Sequence, residues 1–554
     1  MSRLFLTRAL SGACVALSIG ACTSPQVGNP CPVPVNADNK TRLESVQKCF
    51  GLVAGGPFPF RLKKDVDILF MIDNSPSMTP KQKKLADNIK TFIEKIEGFG
   101  INYHVGIVTS DIGTTVSDSA TWDSGSSSAC NKFRGDDGEL QTLTCDKRSS
   151  QVSQDAIAAC NDSCKDNTFR PTNGDKFISK IEGQTNVPKD MKLDPKTGTM
   201  VDYGPINAFK CMALVGDGGC GVEGQLEAVK RALITNGGTI NRGFLRNGSV
   251  LAVIMITDED DCSVKAAKRT ELNPSYRNCN AGQPDEHDCY KLDDRCLFRS
   301  LKCNEPMTTA GGKTGCFERP DNFLEPVKTY YDALLSIRRP EKLVVSGIWT
   351  KPSIDVAIGG TVGVVGGPLT SDLKRDPACQ DPADPNIKGQ PQFRLSQFAS
   401  LFGLDRSGKP AVPEIPVCNT ADYPAALDTI ANLIEKKFAP CLPVTVKTQD
   451  GKPICLVGDV DENTPDAVPD KYFPLCSDTC CAGWANADQP SHGDSGIKTA
   501  CQNEQTAACF CAVKSTKPAV CAEGVNGGTV IGVWRKDGAN TPAGKTVNFR
   551  CAGY

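Results

Sequence analysis

Two short apolar runs, each ending in an aspartate, constrain this chain more than any other feature. Val66–Ile72 (VDILFMI) leads into Asp73, and Leu251–Thr257 (LAVIMIT) leads into Asp258. Runs of this length without regular polar alternation belong to strands buried on both faces, the habit of a parallel sheet. After the first run, Leu85, Ile89, Phe92, Ile93 and Ile96 fall at helical spacing behind Pro80, a residue suited to a first helical turn. Tyr103–Thr109 (YHVGIVT) then reads as a second strand. Strand, helix and strand in that order form a βαβ unit. The pattern continues with a helix from near Glu223 through Ala228, Ala232 and Leu233, and helices over Phe323–Ile337 and Tyr423–Phe438. Lys342–Trp349 (KLVVSGIW) is a further strand. The expectation is an α/β domain over residues 63–440 with a doubly wound, mostly parallel sheet.

The 28 cysteines set the compartment. A reducing cytosol rarely tolerates so many thiols in one chain. Their spacing is irregular and only three histidines accompany them (His104, His287, His492), so disulfides are expected rather than zinc. The formal net charge of −2 offers no basic face for a nucleic acid, and no nucleic-acid partner is expected.

The first residues, MSRLFLTRALSGACVALSIGACTSP, read as an export signal over 1–21, with Arg3 and Arg8 ahead of an apolar stretch too short to span a bilayer. Ile19-Gly20-Ala21-Cys22 resembles a bacterial lipobox, which implies cleavage before Cys22 and lipidation of its thiol. Thr23 after it, rather than Asp, favours the outer membrane by the same resemblance. Setting Cys14 and Cys22 aside from the 28 leaves 26 cysteines, an even number that full pairing requires. Residues 22–62, rich in Pro, Gly and Asn, read as a tether.

Two cysteine-rich inserts interrupt the α/β pattern near 111–201 and 262–319, each following the C-terminal end of a strand, the edge where open α/β sheets bind ligands. Stapled loops without a contact role are the alternative. From Cys441 onward no helical periodicity is visible, and 441–554 reads as a small, disulfide-rich, mostly β module.

Asp73-Asn74-Ser75-Pro76-Ser77 places two hydroxyls and a carboxylate in one strand-to-helix turn. A hard divalent cation (Mg2+, Mn2+ or Ca2+) seeks such short oxygen ligands aimed at one point. The run DILFMIDNSPSM resembles the metal-ion-dependent adhesion site of von Willebrand factor A (VWA) domains, a Rossmann-like fold. YHVGIVTSD, GGCGVEGQLEA and FLRNGSVLAVIMITDEDDCS extend the similarity to VWA-containing lipoproteins of Gram-negative bacteria such as the myxobacteria. The resemblance implies that Ser75 and Ser77 bind the metal directly, that Asp73 supplies charge, and that Asp258 is the acidic residue closing the later strand. Glu259, Asp260 and Asp261 are expected to form a solvated acidic loop capping the next helix.

The family usually adds a threonine from a Gly-rich loop some 35 residues before the last aspartate. Here Glu223, 35 residues before Asp258, holds that place, although an acid favoured by the helix dipole is an equal reading. Gly237-Gly238-Thr239 lies only 19 residues upstream, too close for an intervening helix. With Glu223 included, three carboxylates outweigh one divalent ion. The expectation is a tightly held metal that repels acidic partners and leaves recognition to the inserts.

A weaker candidate is a calcium loop at Asp459, Asp461, Asn463 and Asp466, which lacks the glycine at its sixth position. No histidine-based, nucleophile-elbow or phosphate-loop motif is present, so no catalytic residues and no enzyme are expected. The expected function is a lipid-anchored surface or periplasm-facing protein that binds a protein or glycan partner at the metal edge of its VWA domain. The alternatives are a structural component of an envelope assembly and, behind it, a metal-dependent hydrolase.

Overall fold

The computed structural model describes residues 53–56, 65–113, 135–144, 152–164, 169–193, 198–272, 301–305, 311–318, 323–350, 357–359, 362–363, 370–371, 374–375, 377–403, 410–438, 441–442, 446–449, 451–461, 469, 471–487, 495–514, 529–536 and 545–552. The expected signal, Cys22 as the expected lipidation site, and most of the second insert lie outside these residues.

The chain is a mixed α/β protein organised on a seven-stranded central sheet. In chain order its elements are β1 (Val53–Gly56), β2 (Asp65–Ile72), α1 (Thr79–Gly98), β3 (Asn102–Thr109), α2 (Gln154–Ser163), β4 (Ile178–Ile181), β5 (Gln184–Thr185), α3 (Gly204–Ala213), α4 (Gln225–Lys230), β6 (Val250–Ile256), α5 (Val327–Ile337), β7 (Leu343–Ile348), α6 (Phe393–Ser400), β8 (Glu414–Ile415) and α7 (Tyr423–Lys436). The central sheet runs β8-β7-β6-β2-β3-β4-β5. The five strands from β8 to β3 are parallel, and β4 and β5 add an antiparallel edge.

The apolar runs behave as their composition demands. All seven residues of β6 are buried, and so are all of β2 after Asp65. Alternate residues of β2 serve opposite faces. Val66, Ile68, Phe70 and Ile72 enter one core with α1, α3 and α7, while Leu69 and Met71 enter another with α4, α5 and α6. Phe70 anchors the first core through edge contacts to Phe92 (5.8 Å) and Phe209 (4.8 Å). The opposite end of β2 is fixed by a polar network. Buried Asp67 accepts hydrogen bonds from Arg246 N, Arg246 Nε and Ser249 Oγ, and His104 sits beside it, bonded through Nδ1 to Phe244 O. Burial and Arg246 hold the His104 pKa below its ordinary value.

The insert after β3 is more ordered than its polar composition suggested. It supplies α2, the edge strands β4 and β5, and a hairpin of Met191–Leu193 with Met200–Asp202. Cys164–Cys211 ties the insert to α3. In the second insert, Cys303–Cys316 staples a short hairpin.

The C-terminal region comprises β9 (Cys455–Asp461), α8 (Asp478–Asn486), α9 (Ser495–Cys501), β10 (Ala508–Lys514), β11 (Thr529–Arg535) and β12 (Lys545–Ala552). Among the described residues strands outnumber helices here, and two features add to the expected mostly β module. First, α8 and α9 are present; they are nine and seven residues long, too short for apolar periodicity to emerge. Second, part of the tether is structured, because β1 pairs antiparallel with β12 in the sheet β1-β12-β9. Disulfides replace apolar bulk here. Cys476–Cys509, Cys480–Cys501 and Cys481–Cys511 surround buried Trp484, and Cys455–Cys551 bridges β9 to β12. Gly532 on β11 lies under the Trp484 ring, where an added Cβ would come within 2.2 Å.

Loop-closing cross-links of this kind typically contribute ~2–4 kcal/mol each. A thiol assay on the unfolded, unreduced mature protein should therefore read near zero. Many titratable thiols together with bound zinc would contradict the disulfide framework.

Candidate metal centre

Parallel pairing places the ends of β2 and β6 side by side. Ile72 is in register with Ile256, and Asp73 N donates to Ile256 O at 3.0 Å. Asp73 and Asp258 leave these neighbouring strands at their C-terminal ends, 0% and 3% exposed. The chain after Asp73 turns tightly into α1, with Ser75 buried and Ser77 exposed. Ser77 Oγ donates to Asp258 Oδ1 at 3.0 Å and lies 3.4 Å from Ser75 Oγ. The structure thus brings together Asp73, Ser75, Ser77 and Asp258, four residues separated by up to 185 positions of sequence.

Glu223 joins them. It is 1% exposed, immediately before α4, and Gln225 Nε2 donates to its Oε2 at 2.9 Å. Its other oxygen, Oε1, is buried without a hydrogen-bond partner. Burial, and then the carboxylates of Asp73, Glu259 and Asp258, push the Glu223 pKa well above the usual carboxylate range. Thr239 is remote from this point. It follows Asn236, past the far end of the helix that α4 begins and the π-helical turn Arg231–Thr235 continues, ~16 Å along the axis.

Asp73 is held by three donors: Ser75 N at 2.8 Å, Ser110 Oγ at 3.2 Å and Thr257 Oγ1 at 2.6 Å. Gln82 of α1 clamps the adjoining loops, donating to Asp73 O and Gly216 O while its Oε1 accepts from Gly216 N. Asp217 fastens the Gly-rich loop to Thr79 and Ser153. Ser110, Thr257, Gln225 and Gln82 carry no motif that sequence reasoning could use. Ser110 and Thr257 do sit at strand ends, which is the one available hint.

Lys81 was also missed. Its side chain is 1% exposed, and Nζ lies 2.6 Å from Asp258 Oδ2 and 3.1 Å from Ser77 O. Burial raises the Asp258 pKa, Lys81 opposes the rise, and Asp73 adds to it. The expected charge balance of three carboxylates against one ion therefore omits a cation. With Lys81 counted, the excess of negative charge that was to repel acidic partners is smaller by one.

The acidic loop after Asp258 also departs from expectation. Asp260 and Asp261 are buried, not solvated. Asp260 accepts the amides of Phe393, Arg394 and Leu395 and so caps α6, which is distant in sequence; burial pushes its pKa up to about 6. Asp261 accepts Leu226 N at 2.9 Å and pairs with buried Arg394 at 3.1 Å. These acids hold helix ends.

The residues fit a divalent cation. The donor set is all oxygen. Besides Glu223 Oε1, the buried side-chain oxygens of Asn74, Gln225 and Gln390 lack partners. Asn74 and Gln225 neighbour the ligand candidates in sequence, and Gln390 N donates to Asp258 O. Buried acceptors without donors are rare in folded proteins, and they gather here.

Two other metal candidates fare worse. Asp459 and Asp461 lie in the regular strand β9, and Asp459 pairs with Arg535 at 2.5 Å. Asn463 and Asp466 lie outside the described residues. The Sγ atoms of Cys476, Cys480 and Cys509 lie within 4.8 Å of one another, but all three are in disulfides and offer no thiolate.

No protein-family model and no curated protein matches the chain. Among solved structures, it aligns with the pilus adhesin RrgA of Streptococcus pneumoniae at 9% identity, over 88% of this chain and 56% of that one. The TM-score is 0.19, a likeness too slight to carry an argument. No helix among the described residues is long and apolar enough to cross a membrane.

Thr257 gives a direct test of the geometry. Thr257→Val keeps the shape but removes the donor to Asp73 and the acceptor for Gln225. Urea unfolding without metal should show a loss of ~1–3 kcal/mol. An unchanged midpoint would contradict the described role of this hydroxyl.

Proposed function

We propose that this chain is an exported, lipid-anchored binding protein whose VWA-type domain holds a divalent cation and engages a protein or glycan partner at that edge. It is not an enzyme in this reading. The observation that carries it is the clustering of Asp73, Ser75, Ser77 and Asp258 at the ends of β2 and β6, with Glu223 beside Asp73 and one of its buried oxygens lacking any donor.

The sheet supports the same reading. From β2 the chain moves outward to β3 on one side, and from β6 outward to β7 and β8 on the other. The order reverses between β2 and β6. In doubly wound sheets the crevice outside the carboxyl ends at such a switch point is where ligands bind. Helices contributing to cores on both faces agree with a doubly wound, Rossmann-like domain.

When bound, the cation would supply a fixed positive charge and open coordination positions. Ser75, Ser77 and Glu223 would hold it. Asp73, already saturated by three donors, would act through its charge and by holding the turn. Ser77 is exposed, which leaves the centre open to a partner on that side.

An ion that binds only the folded chain stabilises it by mass action, ~2.7 kcal/mol at a hundredfold excess over Kd. Melting temperature should rise with magnesium, manganese or calcium, and Asp73→Ala should respond much less. An identical shift in both proteins would remove the metal assignment.

The anchor is tested separately. Cys22→Ala should move the protein from the membrane to the soluble fraction, because multiple acyl chains provide stable attachment. A variant that stays fully membrane-bound would show that Cys22 is not the anchor.

A further inference from the structure

Lys81 stands in the first turns of α1, where a lysine ordinarily reaches into solvent. Its helix neighbour Lys83 does so, with a side chain 37% exposed. Lys81 instead turns inward and is 1% exposed. Burying an ammonium is costly unless it is paired and hydrogen-bonded. Lys81 meets both conditions within the metal centre, on Asp258 Oδ2 at 2.6 Å and Ser77 O at 3.1 Å. Asp258 is thereby divided, one oxygen turned to the lysine and the other to Ser77 Oγ.

We propose that Lys81 is a built-in counter-cation of the metal centre, one that offsets one of its carboxylates and weakens its hold on divalent ions. The inference rests on the divalent-cation reading of the site. Around a bound ion, with Glu223 ionised, Asp73, Glu223 and Asp258 carry three negative charges, and Lys81 offsets one of them. All four residues are at most 3% exposed, so their interactions escape most solvent screening. Glu259, partly exposed, adds a further negative charge that solvent screens in part. Without the lysine, the same three carboxylates would attract the ion more strongly and the loaded centre would be more negative by one charge. The lysine also stabilises the metal-free protein, since Asp258 has a cationic partner before any ion arrives. Such a centre exchanges its metal more readily than one without the lysine and shows an approaching partner less negative charge.

The test is a calorimetric titration of the mature protein with manganese alone, with melting curves before and after. Lys81→Met and Lys81→Gln should bind manganese about tenfold more tightly than the parent. Both should melt lower without metal and gain more on adding it. Lys81→Arg keeps the charge and should stay within about threefold of the parent. Neutral variants that bind no more tightly than the parent overturn the proposal, as does an Arg variant as tight as Met. Failure of both neutral variants to fold in saturating manganese also overturns it, because an ion beside Asp258 should replace the lost ammonium. A parent that binds no manganese at all would instead remove the metal reading beneath the proposal, so the two failures are distinguishable.

Discussion

Carboxylates brought together at the C-terminal ends of β2 and β6 are the constraint around which the rest of this structure is arranged. Parallel register forces Asp73 and Asp258 to leave the sheet side by side, and Glu223 enters from the N-terminal end of α4. Three acids nearly closed off from water repel one another, and each must be compensated. Asp73 is compensated by Ser75 N, Ser110 and Thr257, and Asp258 by Lys81 and Ser77. Glu223 is the member left short, with one oxygen on Gln225 and the other facing no donor. That deficit is the physical argument for a cation, and it is independent of any family likeness.

The same loops are tied back into the scaffold at a second level. Gln82 binds the Asp73 turn to Gly216, Asp217 binds the Gly-rich loop to Thr79 and Ser153, and Asp261 binds the start of α4 to Arg394. The oxygen-rich edge is thus held by buried polar side chains from α1, the loop before α4 and the loop after β6. Removing one member of a buried pair typically costs ~3–5 kcal/mol, because its partner stays behind uncompensated. An edge ordered in this way before a ligand arrives would lower the ordering cost of the recognition proposed for it.

Much of this was legible in the sequence, for physical reasons that differ by element. β2, β3, β6 and β7 are read easily because burial on both faces demands continuous apolar runs. α1 and α7 are read easily because a single apolar stripe repeats at helical spacing over 14 to 20 residues. The Asp73–Ser77 turn is legible because its ligands are local. β4, β5 and β8 span only two to four residues and carry no pattern of their own; they form because a sheet edge is there to receive them. α8 and α9 owe their stability to cross-links rather than to periodicity. Lys81 was hidden for another reason. A lysine beside Lys83 and Lys84 reads as part of a solvated face, and only the fold reveals that its ammonium turns in toward an aspartate 177 residues away.

The claim on which the account stands is that a divalent ion sits among Ser75, Ser77 and Glu223. The most direct measurement is a crystal structure grown in manganese, with anomalous scattering recorded at the metal's absorption edge. The account predicts one strong peak ~2 Å from the Ser75 and Ser77 hydroxyls and from a Glu223 oxygen. Crystals with no anomalous peak at these residues, or with manganese bound only elsewhere, would contradict it.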